Sequence, residues 1–303
     1  MDWILAAAPT VIAVVLLLAV TVATLVWAGI AEPLAPLWAV LRGALQLVAL
    51  SLVLSGVIGN PYLVAAALVI MFGAAVVTVH RRIRTARSHL ITLALCMSAG
   101  VAVPLGFVFA IGAIEFSPRY VLALGGIVIG NTMSIAALAG RAFGQNLAGR
   151  WDEVEGWLAL GARPIEATRQ LARQSAHQAL IPSIDQTKTT GLVVLPGAFV
   201  GAIFGGASPL EAGRFQVVVL VCILAAGSIT AVLLMRSLGA VARKPEPDGS
   251  FVARTSRSDA AAADPRAGFG TGQGTGRGAG RDAGRDSRPD DSRDTGADVG
   301  GPA

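Results

Sequence analysis

The sequence predicts an all-α membrane protein of about seven transmembrane helices, with a cytoplasmic helical hairpin between the fifth and sixth. Three observations predict it. Hydrophobic residues fill 54% of the 303 positions, and mean hydropathy is +0.65. A soluble domain averages about 45–50% apolar residues. Apolar runs long enough to cross a hydrocarbon core of roughly 30 Å recur through the first 240 positions. None of them alternates in polarity as barrel strands do, so helices are the way across that pairs every backbone group.

Seven spans are read at 10–30, 37–58, 62–79, 90–114, 121–143, 191–207 and 214–236. The first follows Asp2 rather than a basic stretch, unlike a cleaved signal peptide, and is read as a retained span. Orientation comes from the arginines. The stretch "HRRIRTARSH" (80–89) holds four arginines and no acid, which assigns it to the cytoplasm. "GNPY" (59–62), "EFSPRY" (115–120) and "GASPLEAG" (206–213) then lie outside, with one arginine between them. The N-terminus is outside. The loops at 31–36, 80–89 and 144–190 and the C-terminus are inside. The expected location is the inner (plasma) membrane, as a multi-pass protein.

Charge divides the chain into two parts. Residues 1–240 carry 14 Lys+Arg and 9 Asp+Glu, whereas 241–303 carry 10 of each. The first part is the polytopic transmembrane domain. The second, "GFGTGQGTGRGAGRDAGRDSRPDDSRD" and its flanks, has almost nothing to bury and is expected to be a disordered cytoplasmic tail. Its aspartates cancel its arginines, so no nucleic-acid partner is expected. Cys96 and Cys222 both sit in apolar runs and read as small core residues.

Catalytic motifs are missing. Neither Lys188 nor Lys244 closes a G-x-x-x-x-G-K-[ST] loop, since Thr187 and Arg243 precede them. No GxSxG or HExxH occurs. The chain is not expected to be an enzyme, and no catalytic residue is assigned.

The loop at 144–190 is the longest. Gly149 to Leu160 reads as a short helix with Asp152, Glu153 and Glu155 in its first turns, where the helix dipole favours acids. Gly161 reads as its C-terminal stop, and Pro164 suits the first turn of a second helix. In that helix Ile165, Thr168, Leu171, Ala172, Ser175 and Ala179 share one side, while Glu166, Arg169, Arg173 and His177 face elsewhere. Pro182 is expected to precede re-entry into the membrane. The layout Glu153, Glu155, Leu160, Gly161, Ala162, Pro164 is similar to the cytoplasmic loop that permeases of ATP-driven importers seat in a cleft of their ATPase. A capped hairpin that merely connects two spans fits it equally well.

Inside the spans, six residues are candidates for a translocation path. Arg42 lies about a turn into the second span, where it either snorkels to the interface or serves a gate. Gln46 follows one turn later on the same face and wants a partner in the bundle. Asn131 and Met133 belong to the most polar patch deep in any span, after Gly125, Gly126 and Gly130. They serve either close helix packing or a lining that offers oxygen and thioether groups. Pro196 and Gly197 break the sixth span, and broken helices in transporters often mark the path. No metal ligands are assigned.

The stretch "ALIPSIDQTKTTGLVVLPGAFVGAIFGGASPLEAGRFQVVVL" (179–220) closely resembles the permease of the bacterial iron-export (Fet-type) ABC transporters, a family that includes plant aluminium-sensitivity proteins. "LRGALQL" (41–47) and "GIVIGNTMS" (126–134) extend the resemblance, which covers residues from about 10 to 240. It implies a seven-span permease, paired as a homodimer and driven by two copies of a separate ATPase that binds the ATP and Mg. Iron-linked members carry Met-Met-Thr after the Leu-Pro-Gly and a Gln soon after. Ala198, Phe199, Val200 and Ala202 stand at the matching positions here. Two other classes are weighed beside it. An autonomous secondary carrier or channel needs ionisable groups inside the membrane, and only Arg42 qualifies. A seven-span receptor leaves the acidic helix unexplained.

Overall fold

The computed structural model describes residues 2–57, 59–83 and 89–241. The tail from 242 onward, and Arg84 and Arg87 of the arginine-rich loop, lie outside the described residues. Among the described residues ten helices follow one another: α1 (Asp2–Trp27), α2 (Ala35–Val57), α3 (Pro61–Ile83), α4 (Leu90–Ile111), α5 (Pro118–Gly149), α6 (Trp151–Ala159), α7 (Pro164–Ala167), α8 (Arg169–Thr189), α9 (Gly197–Phe204) and α10 (Pro209–Leu238).

Five stretches are long and apolar enough to cross a membrane: Pro9–Trp27 of α1, and α3, α4, α5 and α10. With α2, apolar over Ala35–Ser51, they make this a multi-pass membrane protein. The stretch 191–207, expected as a span broken at Pro196 and Gly197, is broken there and is not one long helix. Thr190 and Val194 pair across a tight turn, Gly191 has φ +85°, and α9 then runs for only eight residues. That is about 12 Å of helix. Gly191 sits where other residues are strained, and Pro196 has no N–H to continue a helix with, so the interruption is written into the sequence.

α5 and α10 together form the centre of the bundle: α4 and α8 pack on both, and α3 packs chiefly on α5. Small residues let them approach. A methyl group on Gly100 of α4 would overlap Thr230 Oγ1 and stand 2.7 Å from the Ala226 carbonyl. One on Gly227 of α10 would overlap Ile135 of α5, and one on Gly140 would overlap Ile83 of α3. Gly125 and Gly126 likewise face Leu68 and Met71 of α3. Backbone proximity of this kind replaces the hydrophobic drive that lipid removes. Cys96 and Cys222 are buried in this core, as expected. α1 and α2 pack on each other and stay largely exposed along their apolar lengths.

α8 differs most from expectation. It does not stop at Pro182 but continues as one helix to Thr189. It runs antiparallel to α10. Thr168 Oγ1 donates to the Gly239 carbonyl, and twelve residues along each chain a methyl group on Gly227 would stand 3.3 Å from Leu180. Continued through Pro182, this register sets Asp185 level with Cys222, within a turn of the middle of α10. The part of the 144–190 stretch beyond Leu180 is therefore helix as far as Thr189.

Gly100→Ala should cost about 1–3 kcal/mol, since the added carbon meets backbone that cannot give way. Gly130→Ala, whose new carbon meets open space, should leave stability unchanged or slightly raised. Thermal unfolding of the detergent-solubilised chain compares the two.

Candidate functional site

Two regions gather the groups that sequence singled out. The first is the hairpin α6–α8. α5 is 32 residues long, about 48 Å, and outruns a hydrocarbon core of roughly 30 Å. Its far end carries α6. The corner is Arg150, whose guanidinium bonds Glu153 and, at 3.3 Å, Gln174 of α8. Asn146 of α5 donates to Ser175 Oγ at 2.9 Å. α6 turns Trp151 and Val154 inward and leaves Glu153 and Glu155 exposed. It also leaves out two apolar groups, Trp157 at 53% and Leu160 at 82% exposure.

Gly161 closes α6. Its N–H bonds the Leu158 carbonyl and the Ala162 N–H bonds the Trp157 carbonyl, the crossed pair of a Schellman stop. Its φ of +87° is left-handed, which costs most other residues roughly 1–2 kcal/mol. Ala162 is half-buried, and Pro164 opens α7 as expected. Arg163 donates its backbone N–H at 3.1 Å and its guanidinium at 2.6 Å to the two carboxylate oxygens of Glu166. The guanidinium and the backbone N–H of Arg163 hold the Glu166 carboxyl below the ordinary glutamate range. The predicted inner side of the second helix is buried at Thr168, Leu171, Ala172, Ser175 and Ala179. Ala167 joins that side and Ile165 is exposed instead, because the chain breaks at Thr168 between α7 and α8. A cavity of about 470 Å³ opens between the hairpin and the end of α10, over Val232 and Met235, rimmed by Arg163, Arg169, Arg173 and Arg236.

The second region is membrane-level. Arg42 and Gln46 are exposed on α2. Asn131 is half-buried on α5 and spends an amide hydrogen on the Ile127 carbonyl at 2.9 Å. Met133 packs against the core. Pro196 caps α9 and Gly197 begins it. None of these six lines the arginine-rimmed cavity, and α2 is not packed on the α9 break. Sequence reasoning missed a different set: Asp185, Gln186 and Lys188 on α8. The Lys188 Nζ–Asp185 Oδ1 distance is 3.1 Å. The signal was "SIDQTKTT" following directly on "ALIP", polar residues that continue an amphipathic helix without a break.

Residues 8–240 match the model of the "Uncharacterised protein family (UPF0014)". The chain belongs to that family. A rice protein (Oryza sativa subsp. japonica), UPF0014 membrane protein STAR2, is 38% identical over 46% of the chain and 49% of its own length. The probable iron export permease protein FetB of Escherichia coli is 30% identical over 65% of the chain and 77% of its own. Protein ALUMINUM SENSITIVE 3 of Arabidopsis thaliana is 31% identical over 65% and 72%. The chain thus spans about half of the rice relative and about three quarters of the other two. The resemblance read from "LPGAFVGAIFGGASP" and its companion stretches is borne out. No solved structure matches.

Gly161→Val should loosen the α6–α7 corner by about 1–2 kcal/mol and Gly161→Asn by less, since Asn tolerates a left-handed backbone; limited proteolysis between Leu160 and Pro164 reads the difference. A depressed carboxyl stabilises the folded form above its unfolded pKa and loses that contribution as pH falls through the folded value. The Arg163–Glu166 contact should therefore persist in mild acid. NMR titration of the Glu166 carboxyl should give a midpoint below that of free glutamate, and Arg163→Gln should raise it.

Proposed function

We propose that the chain is the permease subunit of an ABC-type transporter, working as a homodimer with a separate ATPase docked on the α6–α8 hairpin. The observation that carries this is the tip of α6. Trp157 and Leu160 stand exposed beside Glu153 and Glu155, on a hairpin braced to α5 by Arg150 and Asn146 and to α10 by Thr168. A short helix with an apolar tip and a polar flank fits a groove in a partner. Gly161, Ala162 and Pro164 set its angle. The name of the E. coli relative supports the transport role.

In this reading the membrane is crossed seven times. α1 to α5 and α10 make six crossings, and the upper half of α8 with the 190–196 break and α9 makes the seventh. The arginine-rich loop places the hairpin in the cytoplasm and the N-terminus outside, in the inner (plasma) membrane. ATP and Mg belong to the partner. When that ATPase dimer closes it moves the hairpin, and α5 and α8 carry the motion to the path, where Arg42, Gln46, Asn131, Met133, Pro196 and Gly197 are candidates. The solute is a metal or metal complex, as the relative's name has it. Among the described residues no three His, Cys, Asp or Glu stand together to hold a bare metal ion. Ala198, Phe199, Val200 and Ala202 add neither thioether nor amide.

A secondary carrier is the other reading, and one observation favours it: the Asp185–Lys188 pair level with the middle of α10 is the ionisable feature a carrier needs. It gives no role to the α6 tip.

Affinity capture of the full chain from its native membrane separates the two. A soluble protein with a G-x-x-x-x-G-K-[ST] loop should co-purify in stoichiometric amount. Leu160→Asp should lose it, at an exposed position that leaves the bundle intact, and so should Gly161→Pro. A chain that purifies alone and moves solute in liposomes without ATP would sink the permease reading.

A further inference from the structure

Asp185 and Lys188 pose a problem of solvation. They lie level with Cys222 and Val219 near the middle of α10, yet their side chains are 58% and 69% exposed. A charged group at the centre of a bilayer costs about 2.5–3.5 kcal/mol on insertion scales, and charged groups at that depth face a bundle interior or water. Lipid therefore does not cover this face. The backbone says the same independently. Directly after Lys188 the helix ends, and residues 191–195 form a turn whose Leu192, Val193 and Leu195 are exposed. Irregular backbone at membrane depth is tolerated where it is buried in protein or lines a water-filled cavity. Both observations concern one surface. Its polar groups run without a gap: Asp185, Gln186 and Lys188 on the exposed side, with Thr189 Oγ1 bonded back to the Asp185 carbonyl at 2.9 Å.

We infer that this face of α8, with the turn above it, is the wall of a hydrated solute path, and that the Asp185–Lys188 pair is where the solute binds. The inference rests on the transporter reading and supplies the site that reading left open. The wall presents a carboxylate, an ammonium, an amide and hydroxyls, all hard oxygen and nitrogen groups, with no imidazole or sulfur among them. A bare transition-metal ion finds too few ligands here. A small hydrophilic organic ion, with both acceptors and donors, fits: its own charges replace the two partners of the 3.1 Å pair as it enters. A metal would travel as the complex of such an ion.

The test is aqueous access. The parent chain has two cysteines, both buried, so a single new cysteine reports alone. Gln186→Cys, in membranes, should react with a membrane-impermeant cationic methanethiosulfonate. Ile70→Cys, at the middle of α3 and 71% exposed, should not. Labelling after denaturation in SDS counts the thiols in each. Neutralising Asp185 (Asp185→Asn) should slow the cationic reagent at Gln186→Cys roughly threefold relative to an anionic one, and Lys188→Gln should shift the ratio the other way. No reaction at Gln186→Cys before denaturation would overturn the inference. So would equal reaction at both positions, or a disulfide formed dry between two copies at position 186. None of these outcomes depends on whether an ATPase co-purifies, so the site and the permease reading fail separately.

Discussion

Close approach along α10 is the interaction on which the bundle depends. In lipid, burial of apolar side chains gives helices little reason to associate, and packing must come from backbones brought near enough for many weak contacts. Gly100 and Gly227 provide that nearness, each where a single methyl group would overlap a neighbour, and Gly140 does the same between α5 and α3. α4, α5 and α8 reach α10 on different sides. Thr132 and Thr230 are fully buried there, with hydroxyl oxygens that have no hydrogen-bond partner among the described residues. α1 and α2, with Arg42 and Gln46, stand apart from this arrangement and keep their apolar sides bare.

The helices were legible wherever a single physical demand ruled a whole segment. α1, α3, α4, α5 and α10 each hold a long apolar stretch, and hydropathy alone finds them. Gly161 and Pro164 were legible for a local reason: a left-handed stop and a first-turn proline are dictated by the backbone of one residue. The break in the sixth span was legible at Pro196 and Gly197, but not how little helix follows it, because hydropathy measures composition and not continuity. "GLVVLPGAFVGAIFGG" is apolar enough, but Gly191 and Pro196 interrupt it and eight residues of helix remain. α8 is the opposite case: it is continuous to Thr189 but too polar for hydropathy to find, so hydropathy gives no reason to carry the helix past Pro182 or to single out Asp185. The grouping of the six path candidates was not legible either, because which face of one helix meets another is set by packing.

The hairpin and the polar face of α8 are mechanically one object. Thr168, at the base of α8, is held to the end of α10, and Arg150 and Asn146 hold the same base to α5. From there a single helix runs through Pro182 to Lys188. A push on α6 reaches the Asp185 region through one rod rather than through a chain of loops. Family membership adds that the whole of residues 8–240 is matched as one unit, hairpin and spans together.

The position of α10 in the chain has a consequence for biosynthesis. The helix that the close contacts at Gly100 and Gly227 need, α10, is the last of the described helices to be made. Between the completion of α3 and that of α10 lie about 155 residues, on the order of 8–30 s of translation at ordinary rates. Until α10 is made, Gly100 and the lower face of α8 have no α10 to pack against. Membrane insertion of the earlier helices and assembly of the bundle are thus separated in time, with the nascent chain exposed to quality control until its final helix arrives.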